Sequence, residues 1–321
     1  MNKQSIFISL FILCSFFTNA AETVIQGKIK GFDQKTIKVG FYKDYISFDK
    51  EWASSVIIKN GSFKLTIPVE ETTQIILKVE DKETSFFAEA GKVYNLALSY
   101  DEEANRGQAF NKYLNLRFSF PKATETNQLI KKFNKSYEVF FADNYAKMMY
   151  KGAIKETQEF ISKWENHDDF SSNNFVLNYV KYSLANLEHI NGGSKEKLKQ
   201  RFILGQDILY RQKEYMNFFT QFYQKSFDQL TLSGKSKEML KAIMFEDDLQ
   251  KALDEIKVLK NFQRDELAEL YLLNGLFEVY HKKVINQESS RSFLKLIQKK
   301  LKKQGLGLKV YDAYRPQRAV N

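Results

Sequence analysis

Val56-Ile57-Ile58-Lys59-Asn60-Gly61-Ser62-Phe63-Lys64-Leu65-Thr66-Ile67 decides the fold class of the first third of this 321-residue chain. Before the turn, apolar β-branched residues run together. After it, Phe63, Leu65 and Ile67 alternate with polar residues, the two-residue period of a half-buried strand. Asn60-Gly61 predicts a tight hairpin turn, because both residues tolerate positive φ. Similar runs lie on either side, at 24–29, 36–41, 74–79, 85–88 and 93–98. About seven strands at this spacing predict an antiparallel β-sandwich over residues 22–100. No glycine-rich phosphate loop interrupts it.

Beyond Asp101 the apolar period changes to three and four. Phe110, Tyr113, Leu114 and Arg117-Phe118 begin a helical reading, and Leu129-Ile130, Phe133, Tyr137, Phe140-Phe141, Tyr145 and Met148-Met149 continue it. Further helices are predicted at 152–165, 172–190, 194–204, 206–227, 234–243, 246–258 and 261–281, with turns at Gly192-Gly193 and Ser233-Gly234. The predicted class is multi-domain α+β: the sandwich, an all-α helical bundle over 101–285, and a helix–strand stub over 286–321.

The ends of the chain carry different signals. Met1-Asn2-Lys3-Gln4 is a short positive head, Ser5 to Cys14 an apolar stretch of secretory length, and Thr18-Asn19-Ala20 a small-residue cleavage site. Residues 1–21 therefore read as a cleavable signal peptide, and the expected location is the periplasm or outer cell envelope. Leu13 is bulky where lipoprotein processing prefers a small residue, so Cys14 is read as part of the leader. Its removal leaves a mature chain without cysteine, and hence without a disulfide or a Cys-x-x-Cys redox pair.

The formal charge of +10 is concentrated at the C-terminus. Residues 286–321 hold nine Lys/Arg against two acids and residues 1–21 a single Lys, which leaves +2 on residues 22–285. A nearly neutral body excludes the electrostatic footprint of a nucleic-acid partner. From Ser289 the tail reads as an amphipathic basic helix ended by Gly305, followed by a strand at Leu306 to Asp312. A strand directly after the helix speaks for a unit of a fold and against a membrane-surface anchor.

Few side chains offer chemistry. His167, His189 and His281 are not spaced to converge on a metal, and no Gly-x-Ser-x-Gly elbow accompanies them. They read as surface or interhelical residues. Asp168-Asp169, Glu246-Asp247-Asp248 and Asp265-Glu266 are carboxylate pairs of the kind acid–base catalysis uses, but the last two open predicted helices, where acids complement the dipole. Phe218-Phe219, Phe222-Tyr223 and Phe227 read as core at helical spacing.

Two resemblances add to this reading. Asn60-Gly61-Ser62-Phe63, the turn from Phe86 through Glu89-Ala90-Gly91-Lys92 to Tyr94, and Phe133-Asn134 followed by Tyr137 and Phe140-Phe141 resemble the N-terminal region of exported Bacteroidota proteins. There a β-domain of unknown function and a helical region precede a thioredoxin-like domain. The likeness spans 22–285. No Cys-x-x-Cys follows here, so thiol–disulfide activity is not carried over.

Lys303 to Val320, with Tyr314-Arg315-Pro316 at its centre, resembles the Tyr-Arg-Pro segment of zinc D-alanyl-D-alanine dipeptidases. The resemblance implies that Arg315 stabilises charge at the reacting carbonyl, a task suited to a permanently charged guanidinium. That family also needs a Ser-x-His-x-x-Gly-x-x-x-Asp stretch and a Glu-x-x-His stretch downstream for zinc and its catalytic base. Neither follows the segment between Val320 and Asn321, so it reads as a truncated dipeptidase piece.

The expected function is a non-catalytic, exported envelope protein with a binding or accessory role. The alternative is a zinc D-Ala-D-Ala dipeptidase acting on peptidoglycan dipeptide, with its catalytic half missing. No cofactor is expected in this chain, and zinc only if the dipeptidase part were complete. A third possibility, a membrane-surface protein that uses its basic tail, is the weakest.

Overall fold

The computed structural model describes residues 21–100, 114–118, 123–150, 152–165, 167–280, 285 and 287–303. The predicted signal peptide, His281, Arg315 and the rest of the Tyr-Arg-Pro segment lie outside these residues.

The sandwich forms as expected, from two four-stranded sheets. Its strands are β1 (Ala21–Ile29), β2 (Thr36–Tyr42), β3 (Lys50–Ile57), β4 (Ser62–Val69), β5 (Thr73–Val79), β6 (Lys82–Ala88), β7 (Val93–Ser99) and β8 (Asn115–Phe118). One sheet has the order β4-β1-β7-β8 and the other β3-β2-β5-β6. β4 and β7 alternate strictly between buried and exposed residues, and Phe63, Leu65, Ile67, Tyr94, Leu96 and Leu98 meet Ile37, Val39, Ile75, Leu77 and Phe86 in one core. Pro68 is tolerated because β4 is an edge strand.

Three features depart from the sequence reading. Asn60 and Gly61 do adopt positive φ (52° and 66°), and Lys59 and Ser62 exchange both backbone hydrogen bonds. The pairing ends there: Ile58 turns its backbone to Gln34 and Lys35, and β3 and β4 enter opposite sheets. The turn is a corner of the sandwich and not the tip of a hairpin within one sheet. Secondly, β1 and β7 run parallel. At their contact Gly27 opposes Leu96, whose carbonyl oxygen would stand 2.2 Å from any Cβ at position 27. Thirdly, Leu114 and Arg117-Phe118 do not open a helix. Residues 115–118 extend the first sheet beyond β7, with Leu96 opposite Phe118.

Ten α-helices follow among the described residues: α1 (Thr126–Tyr150), α2 (Ile154–Glu165), α3 (Asn174–Ile190), α4 (Lys195–Phe202), α5 (Lys213–Phe222), α6 (Ser226–Leu232), α7 (Lys237–Lys241), α8 (Leu249–Lys260), α9 (Asp265–Tyr280) and α10 (Gln287–Lys303). The single helix expected over 206–227 is not formed. Residues 206–212 are non-helical, and α5 and α6 are separated at Lys225, a left-handed residue whose N–H donates to both Glu278 carboxylate oxygens at 3.0 Å. Elsewhere caps mark the boundaries: Asn173 accepts from Val176 N–H, and Asp248 from Lys251 N–H.

The helices build two adjoining cores. α1, α2 and α3 enclose Phe133, Phe160, Trp164 and Phe170. α5 to α10 enclose the aromatic row Phe218, Phe219, Phe222, Tyr223 and Phe227, together with Phe293, Leu294 and Ile297 of α10. The apolar face of the basic helix is thus occupied by protein. No helix among the described residues is long and apolar enough to cross a membrane.

Candidate functional site

The sandwich and the helices meet at a cleft of about 790 Å³. Its walls come from the β2–β3 loop, the β4–β5 turn, the first turns of α3 and the non-helical segment before α5.

The β2–β3 loop is held by Asp44. This buried carboxylate accepts from Ile46 N–H (2.8 Å), Ser47 N–H (2.6 Å) and Ser47 Oγ (2.6 Å), an Asx-type turn that satisfies both oxygens. The turn drives Tyr45 and Ile46 into the helical core. Tyr42, Tyr45 and Phe48 then form a mutually tilted aromatic group, with centroids 5.7–6.1 Å apart. Across the cleft, Arg211 reaches Glu71 at 2.9 Å and Glu70 at 3.6 Å, tying the turn after β4 to the chain before α5.

The most perturbed carboxyl lies behind this wall. Glu214, in the first turn of α5, receives a long hydrogen bond from Gln212 Nε2 (3.3 Å). Burial pushes its pKa up to about 7, against the smaller opposing pull of its own backbone N–H, Lys213 and Gln212. Glu214 in turn holds the Tyr45 and Tyr179 hydroxyls further above their ordinary range, after burial itself. The cleft therefore presents aromatic faces, the Asn174 and Asn178 amides, and four carboxylates (Asp44, Glu51, Glu70, Glu71) against two cations, Lys43 and Arg211.

The described residues among those singled out in the sequence lie elsewhere and do not converge. His167 packs against both Trp164 (4.9 Å) and Phe170 (5.0 Å), which also stack on each other, and accepts from Asp169 N–H. His189 packs on Phe222, and burial lowers its pKa. Asp169 pairs with Lys132, Glu246 with Lys241 and Lys251, and Asp265 with Lys257. Asp248 caps α8, and Asp265-Glu266 open α9. Among the described residues no group of three or more His, Cys, Asp or Glu is placed to hold a metal ion.

Glu214 escaped the sequence reading. Its signal was there: it shares the i, i+4, i+8 stripe of α5 with Phe218 and Phe222, both buried. A carboxylate on an apolar stripe marks either a paired ion or a shifted acid.

Residues 23–107 match a domain of unknown function, DUF4369, which is found in Bacteroidota proteins. The match covers β1 to β7 of the sandwich. No curated protein matches the chain.

Proposed function

We propose that this chain is an exported cell-envelope protein that binds its ligand without transforming it, and that the cleft between sandwich and helices is the binding site. The observation that carries the reading is the shared wall. The β2–β3 loop is rooted in the helical core through Tyr45 and Ile46, so the aromatic group and the carboxylates are presented on a fixed junction. The leader-like residues 1–21 support export. The excess of carboxylates in the cleft favours ligands bearing an amine, such as lysine-containing peptides or amino sugars.

The test is titration of the purified chain with a lysine-rich peptide, its glutamate counterpart and glucosamine oligomers, read by calorimetry. An amine-bearing probe is expected to bind and to weaken in Glu51→Gln and Tyr42→Ala, while the glutamate peptide does not bind. Binding that ignores both substitutions, or preference for the glutamate peptide, removes the cleft as the site. Cell fractionation with N-terminal sequencing tests export; retention of residues 1–21 in the cytoplasm overturns it.

Tyr314-Arg315-Pro316 favours a second reading, a zinc D-Ala-D-Ala dipeptidase in which Arg315 stabilises the developing oxyanion.

A further inference from the structure

A second concavity, which shares Asn178 with the cleft, lies among α2, α3 and α4 and measures about 470 Å³. Its floor is apolar, with Ile161 and Trp164 of α2, Phe170, Val180 and Leu184 of or beside α3, and Phe202 of α4, and its rim is polar, with Asn178, Lys181 and the Arg201 ion pairs to Glu165 and Glu188. Well-packed interiors leave few such spaces, and this volume lies in the range of small-molecule sites.

Two polar groups on its lining residues have donors to spare. Trp164 is 3% exposed, and its Nε1–H meets no acceptor among the described residues. Lys181 is half-buried and has no carboxylate partner among the described residues. Its Nζ donates to Gln206 Oε1 at 2.8 Å, which uses one of three N–H bonds. Burial, and then the nearby Arg201, lower its pKa, as expected of a cation short of counter-charge. Arg201 differs in being neutralised twice, by Glu165 and by Glu188.

We propose that this groove binds a small apolar carboxylate, its hydrocarbon body against Trp164, Phe170 and Leu184 and its carboxylate on Lys181. The carboxylate supplies the acceptor and the negative charge that Lys181 lacks, and the apolar body covers the walls. A neutral alcohol of the same length satisfies only the second requirement, and an ammonium of the same length opposes the first.

The chain has two tryptophans, so the full-length Trp52→Phe variant leaves Trp164 as the sole indole reporter. It is titrated with decanoate, decanol and decylammonium below their micelle-forming concentrations, at about pH 8, where the two charged probes are both ionised. Decanoate is expected to change Trp164 fluorescence saturably, about tenfold or more tighter than decanol. Lys181→Met should remove that advantage without altering decanol binding, and Lys181→Arg should keep most of it. Equal binding of the three probes, or an unchanged decanoate affinity in Lys181→Met, overturns the proposal. If Lys181→Met does not fold, the wild-type preference for decanoate over decylammonium decides.

Discussion

The Asn127 carboxamide pairs with the main chain of Phe87 in the manner of a neighbouring strand. Phe87 N–H donates to Asn127 Oδ1 at 2.8 Å, and Asn127 Nδ2 donates to the Phe87 carbonyl at 2.8 Å. β6 is an edge strand, and an unpaired edge invites association with other chains. One side chain from the first turn of α1 closes it here, while Glu125 holds the same amide (2.8 Å) and the Phe87 ring packs on Phe175 and Tyr179 of α3. The joint between sandwich and helices therefore combines directional contacts at Phe87 with the apolar burial of Tyr45 and Ile46.

Asn127→Asp keeps the acceptor and loses the donor, placing a carboxylate against the Phe87 carbonyl and beside Glu125. The expected loss is about 1–3 kcal/mol in urea unfolding. A change under about 0.5 kcal/mol would show that the pairing contributes nothing beyond ordinary surface substitution.

Glu214 makes stability depend on pH in a defined direction. Its folded pKa of about 7 lies above the ordinary 4.5, so between these values the folded state binds more protons than the unfolded one. Its contribution is complete below about pH 4.5 and is lost as pH rises through 7. The loss amounts to at most about 3 kcal/mol, reduced by the solvent contact the side chain retains. Glu214→Gln removes the titration. Denaturant unfolding at pH 5 and pH 8 should show the variant gaining on the wild type at the higher pH, and parallel curves would contradict the shifted carboxyl.

Gly275 faces the Phe227 ring, where an added Cβ would meet ring carbons at 2.2–2.4 Å. In an open helix Gly→Ala stabilises by about 1 kcal/mol. Gly275→Ala is expected to destabilise instead, by about 1–3 kcal/mol, through overpacking. Phe227→Leu should recover part of that loss in a double-mutant cycle. A more stable single variant would mean that α6 and α9 separate at no cost.

The dipeptidase reading has its own measurement. Incubated with D-alanyl-D-alanine and added zinc, the purified chain is expected to give no turnover above buffer, because among the described residues no group of three or more His, Cys, Asp or Glu is placed to hold the metal. Zinc-dependent hydrolysis that disappears in Arg315→Ala would establish the second reading and displace the first.

The two strands around Asn60-Gly61 show how far the sequence reaches. Phe63, Leu65 and Ile67 fix which face of β4 is inside, because alternation is a property of the strand alone. The turn was equally legible, since positive φ at Asn60 and Gly61 is a local preference. Their sheet membership was not, because only the Lys59–Ser62 bridge joins the strands near the turn, and the rest follows from partners far along the chain. Lys225 makes the same point in the helices: Tyr223-Gln224-Lys225-Ser226 contains no glycine or proline, and the break depends on Glu278, 53 residues away.

The candidate site divides in the same way. Asp248 and Asp265-Glu266 were legible as structural because capping and helix-start charge act within a turn. The cleft was not, since it joins Asp44, Glu71 and Arg211 only after the β2–β3 loop has entered the helical core. By itself the sequence determined a sandwich, a helical region, their faces and the concentration of charge at the C-terminus, all set by interactions a few residues long. Tertiary structure alone decided the parallel β1–β7 pair, the strand at 115–118 and the half-buried place of Glu214. Each depends on which distant surfaces exclude water together, and local chain preferences do not encode that choice.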